Sequence, residues 1–171
     1  MDSVLNLLVA PDWGEIENVR KRLVTFLAPH DFAAAASDAL AMVTSELMEN
    51  AVKYGFYGGP VTQIAVTVTV DQRSVIIEVK SPLHANEDEA MDRLDHTIQW
   101  IRGYQDPFQA YLTTLKDVSA QSMDSSESGL GLVRIAYEGQ SVLDFYVDDR
   151  NVLAINAVYT RDAVPSSGRG S

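Results

Sequence analysis

A chain of 171 residues with 46% hydrophobic and 22% charged side chains is long enough to bury the core of one domain and too apolar for general disorder. Its formal charge of -11 argues against nucleic acid as the main partner, because a polyanion would be repelled rather than exchanged for counterions. The same charge leaves ATP open, since local backbone donors can hold phosphate against the overall field.

No cysteine is present, so neither disulfides nor thiolate metal sites exist. The opening MDSVLNLLVA carries no basic leader, and no later run approaches the ~18 apolar residues of a membrane span. A soluble, cytoplasmic protein without membrane contact is therefore expected.

Val4 to Ala10 reads as a strand closed by Pro11, which can donate no ladder hydrogen bond. From Gly14 the apolar positions Ile16, Val19, Leu23, Phe26 and Leu27 recur at helical spacing until Pro29. Ala33 to Gly55 then forms a long helix, with Leu40, Val43, Leu47, Ala51 and Tyr54 on one stripe and Gly55 as a left-handed stop. Beside that stripe run Glu46, Asn50 and Lys53. Glu46 and Asn50 are one turn apart, so both can reach one pocket. That pairing suits a carboxylate handling a water or hydroxyl next to an amide oxygen holding a metal ion. It also suits a solvated helix flank, although Asn is a mediocre helix former in mid-helix.

Val61 to Val70 alternates β-branched and polar residues, and Ser74 to Lys80 does so more loosely, which predicts a hairpin around the polar turn Asp71 to Ser74. Ser141 to Val147 and Val152 to Tyr159 repeat the arrangement. Between the hairpins lies an insert with two amphipathic helices, one marked by Met91, Leu94, Ile98 and Ile101, the other by Phe108, Tyr111, Leu112, Leu115 and Val118. The polar stretch Ala120 to Ser128 reads as a lid or a plain connector. Gly129 and Gly131 then lead into the apolar helix of SGLGLVRIAYE, where free N–H groups suit phosphate, although Asp124 and Glu127 lie close by.

These elements predict an α+β two-layer sandwich, with helices on one face of a mixed, mostly antiparallel sheet and a helical insert before the GLGL turn. One domain is expected over residues 1–163, with insert and lid at 84–128. The Ser/Gly-rich stretch 164–171 is expected to be a disordered tail.

With ELMENAVKYG in the middle and SGLGLVRIA further on, the chain resembles the GHKL ATP-binding superfamily, the histidine-kinase-like ATPase fold. It looks closest to the small single-domain branch of anti-sigma-factor serine kinases and SiaB-type regulatory kinases. The resemblance implies that Glu46 is a general base, that Asn50 is a magnesium ligand, and that Lys53 lies near the phosphates of ATP. Ser128, Gly129, Leu130, Gly131 and Leu132 would form the lid end whose backbone amides receive those phosphates.

One departure stands out. Aligning VIIEVKSPLHA with the family's DxGxG box puts Ser81 where the adenine-binding aspartate belongs and Leu83 where a glycine belongs. Losing that charged hydrogen bond would weaken adenine binding by about 1.5–3 kcal/mol, tenfold to hundredfold, of which the Ser81 hydroxyl could recover part.

The resemblance thus implies an ATP- and magnesium-dependent kinase that phosphorylates Ser or Thr on a small partner protein, such as a STAS-type antagonist or a sigma factor. The alternative is a nucleotide-free module of the same fold that holds a regulator through its insert helices. A homodimer is left open.

Overall fold

The computed structural model describes residues 2–84, 88–103 and 130–161. The expected second insert helix, the stretch Ala120 to Ser128, the site candidates Ser128 and Gly129, and the tail from Val164 lie outside the described residues.

Five strands, β1 (Ser3–Val9), β2 (Ile64–Val70), β3 (Ser74–Pro82), β4 (Ser141–Val147) and β5 (Val152–Thr160), form one sheet in the order β1-β2-β3-β5-β4. Every pairing is antiparallel. Among the described residues four α-helices cover one face: α1 (Trp13–Leu27), α2 (Ala34–Tyr54), α3 (Asp88–Arg102) and α4 (Leu130–Tyr137). The architecture is the two-layer α+β sandwich that the alternation predicts.

The alternation explains the layering. In β2 the residues Ile64, Val66, Val68 and Val70 are buried, while Ala65, Thr67 and Thr69 occupy the other face. The same phase in β3 buries Val75, Ile77, Val79 and Ser81. In the turn between these strands, the Asp71 carboxylate accepts from the amides of Arg73 (2.7 Å) and Ser74 (2.6 Å). Those backbone bonds hold its pKa below the usual value. In the β4–β5 turn, Asp148 accepts from Arg150 (2.8 Å) and Val152 (3.0 Å), with Asn151 in the left-handed conformation at φ 61°.

Two connections fix the end of β3. The Phe56 amide, just past α2, donates to the Pro82 carbonyl (2.8 Å), and the Leu83 amide donates to the Asn151 carbonyl (2.9 Å). The ends of α2 and of the second hairpin thus converge on residues 81–83.

Helix α2 buries Leu40, Val43, Leu47 and Ala51, and adds Ala41, Thr44 and Met48 to the core. The buried Thr44 hydroxyl donates to the Leu40 carbonyl, so no polar group is stranded there. Two expectations for its last turn are corrected. Tyr54 is 49% exposed, because the helix has run beyond the core by then, and its ring lies 5.3 Å from the Lys53 ammonium. Gly55 is extended (φ -70°, ψ 148°) rather than left-handed. The reason is Tyr57, whose hydroxyl donates to the Ala51 carbonyl (2.7 Å) and stands 2.5 Å from where a Cβ on Gly55 would be.

Candidate functional site

A cleft of about 870 Å³ opens between α2 and α3 above the middle of the sheet. That is the size of a pocket that takes a nucleotide or a drug-sized ligand. Its floor is the β3–β5 seam, where Val79 faces Ile155 and Ser81 faces Leu153 across the ladder. One wall is α2, with Glu46, Asn50 and Lys53 one turn apart. The other is α3, which turns Met91 and Leu94 inward and carries Glu89, Arg93 and His96 along the same side. Gly131 and Leu132, in the first turn of α4, close one end.

Glu46 is the most constrained polar group in the cleft. Its side chain is 14% exposed, and its Oε1 accepts from Nη1 of Arg134 at 2.7 Å. Arg134 in turn donates from Nε to Glu138 at 3.1 Å. Gly131 lies on the same face of α4, three residues before Arg134, and a Cβ there would stand 2.6 Å from Glu46 Oε2. The space that this glycine leaves is therefore filled by a carboxylate. Burial raises the pKa of Glu46, and Glu49 and Glu138 add to the rise, while the Arg134 cation opposes it.

Asn50 and Ser81 differ from Glu46. Neither side chain makes a hydrogen bond among the described residues, and both line the cleft. Ser81 is only 7% exposed, so its hydroxyl is a nearly buried group whose oxygen is reached from the cavity. Lys53 sits at the exposed rim, near Tyr54. Leu83 lies over the edge of the floor, tied there by the Asn151 turn, whose side-chain amide also donates to the Leu83 carbonyl at 3.3 Å.

The structure brings together Glu46, Asn50, Lys53, Ser81, Gly131 and Leu132 around this cleft. Leu130 begins α4. Among the described residues no group of three His, Asp or Glu side chains could hold a metal ion. A magnesium ion needs no such cage, because it keeps several waters and takes its remaining ligands from substrate phosphates, so a single open amide at Asn50 fits it.

Sequence reasoning missed two features. Arg134 was legible in principle, since its spacing from Gly131 puts both on one face. The polar edge of α3, with Glu89, Arg93 and His96, was not, because at helical spacing it reads as a solvated flank.

No family model matches the chain, and no curated protein matches it by sequence. Among solved structures, it is similar to a chain in the crystal structure of the SiaB–SiaC complex from Pseudomonas aeruginosa, with a TM-score of 0.70. The identity is 18%, and the match covers 91% of this chain and 88% of that one, so the two share a fold over nearly their full lengths. No helix among the described residues is long and apolar enough to cross a membrane.

Proposed function

We propose that this chain is a regulatory kinase that binds ATP with magnesium in the α2–α3 cleft and phosphorylates a Ser or Thr hydroxyl of a small partner protein. The observation that carries this reading is the convergence of Glu46 and Asn50 with the first turn of α4 on one cavity. The likeness to a chain from a two-protein complex supports a protein as the phosphate acceptor. A STAS-type antagonist or a sigma factor is the class of acceptor that the family resemblance suggests.

Phosphoryl transfer needs positioning and charge neutralisation more than covalent help from the protein. Glu46 takes the proton of the acceptor hydroxyl, and burial makes it a stronger base than a surface carboxylate. Arg134 holds one oxygen of that carboxylate and leaves Oε2 beside Gly131. The Asn50 amide oxygen would hold the metal, and Lys53 at the rim would add positive charge against the phosphates. When bound, magnesium would supply the charge neutralisation that the phosphates need.

The Glu46–Arg134 pair also favours a second reading, a nucleotide-free module that regulates by binding protein alone. In it the polar groups of the two motifs satisfy each other, and the pair is structural. Calorimetric titration with ATP and magnesium separates the two. Saturable micromolar binding that is lost in Asn50→Ala supports the kinase, whereas heats no larger than dilution in the folded protein would leave the module.

A further inference from the structure

Among the described residues the floor of the cleft is apolar except at one point. Val79, Leu83, Leu132, Leu153 and Ile155 line the cleft with Ser81, whose hydroxyl is nearly buried and makes no hydrogen bond among the described residues. Polar groups this deep normally have a partner, so a hydroxyl left facing a cavity is placed to read the polar edge of a ligand. The β3–β5 seam and the aliphatic side chains that line the cleft with Ser81 suit a planar heteroaromatic ring.

We propose that this floor holds a purine base and that Ser81 pairs with the 6-amino edge of adenine as acceptor and with the 6-oxo edge of guanine as donor, so that the cleft takes ATP and GTP with similar affinity. The proposal rests on the nucleotide-binding reading above and adds its selectivity. A hydroxyl has one hydrogen to donate and two lone pairs to accept with, and it rotates to suit. It therefore accepts from the amino group of adenine in one rotamer and donates to the carbonyl of guanine in another.

An ionised carboxylate at the same place could only accept, which would hold the amino group and repel the oxo group. The acidic residues that line the cleft, Glu46, Glu49 and Glu89, stand on α2 and α3, and none stands on the strands of the floor. Strong discrimination between ligands requires that the wrong one leave a buried group of the site unpaired. Neither purine does so here.

The test is calorimetric titration of the full chain with the magnesium complexes of ATP and of GTP. Dissociation constants within about fivefold of each other are expected. Ser81→Ala should weaken both by a similar factor, about three- to tenfold, and leave their ratio unchanged. Ser81→Asp, where its melting curve shows it folded, should keep ATP and lose GTP by about tenfold or more.

A wild-type preference above about tenfold for either nucleotide overturns the proposal and leaves the nucleotide reading standing. So does a Ser81→Ala protein that binds both nucleotides as tightly as the wild type. Binding of neither nucleotide by the folded wild type overturns the reading itself, and the proposal with it.

Discussion

At Gly139, just past the end of α4, an added Cβ would run into the side chain of Val43 and come within 2.5 Å of the Ile135 carbonyl. At Gly131, in the first turn, it would come within 2.6 Å of Glu46 Oε2. Both glycines let α4 approach α2 closely, yet they meet different things. Gly139 is buried among aliphatic groups and backbone, with its amide donating to the Arg134 carbonyl at 3.0 Å and Gln140 turning left-handed after it (φ 48°). Gly131 meets a carboxylate held by an ion pair and facing a cavity. One end of the contact is fixed by packing, which cannot yield. The other is fixed by charge, which can change with pH or with what enters the cleft.

The contrast predicts that replacements at the two ends damage different properties. At the cleft end, Glu46→Gln keeps the shape and removes the base. Partner phosphorylation should fall by about 10²- to 10⁴-fold, measured as the initial rate. Its stability at pH 7 should be no lower than the wild type's. The fold raises the pKa of Glu46 above 4.5, so it favours the protonated form. The stability that this group contributes is present below pH 4.5 and is lost as pH rises through the folded value. A neutral Gln escapes that loss, so melting curves at pH 4 and pH 7 should diverge in its favour at the higher pH.

Packing governs the opposite end, where Gly139→Ala should cost about 1–3 kcal/mol of stability in denaturant melts, since neither the Ile135 backbone nor the core Val43 can move freely. Nucleotide affinity per folded molecule should be unchanged. Gly131→Ala is milder on stability, within about 1 kcal/mol, because the group it meets is the far end of a side chain. It should nonetheless displace Glu46 from Arg134 and lower the phosphorylation rate. Equal stability losses at both glycines would erase the distinction between the two ends.

How much of this was legible in the sequence follows the same division. Period-2 alternation in β2 and β3 and the two acidic turns gave the hairpins, because each strand buries one face. The helical stripe through Leu40, Val43, Leu47 and Ala51 located the border on which Glu46 and Asn50 lie. It failed at Tyr54 and Gly55, where the end of the core and the Tyr57 hydroxyl decide the conformation, neither of which a local pattern contains.

For the site, helical spacing predicted that Glu46 and Asn50 share a pocket, but not that Glu46 would be paired across 88 positions to Arg134. Such pairing depends on how two helices dock. Ser81 stood out in the sequence only as a missing aspartate. Its hydrogen-bonding state needed the β3–β5 register and the α2 wall to be in place.

Arg134 offers the finest test of the charge-fixed end, because it alone opposes the influences that raise the Glu46 pKa. Arg134→Ala should push that pKa further up, so the acid limb of the phosphorylation rate moves to higher pH. It also leaves a mostly buried carboxylate without its cation. Since the arginine side chain is 37% exposed, solvent screens the pair, and the stability cost at pH 7 should be about 1–2 kcal/mol rather than the larger figure for a fully buried pair. Arg134→Lys restores the charge but not the two-nitrogen reach to Glu46 and Glu138, so it should recover most of the pH profile and less of the rate. Rates measured across pH 5–8 for the three proteins distinguish a charge effect from a packing one. If alanine and lysine shift the acid limb equally, geometry rather than charge holds Glu46 in place, and the two glycine contacts are of one kind after all.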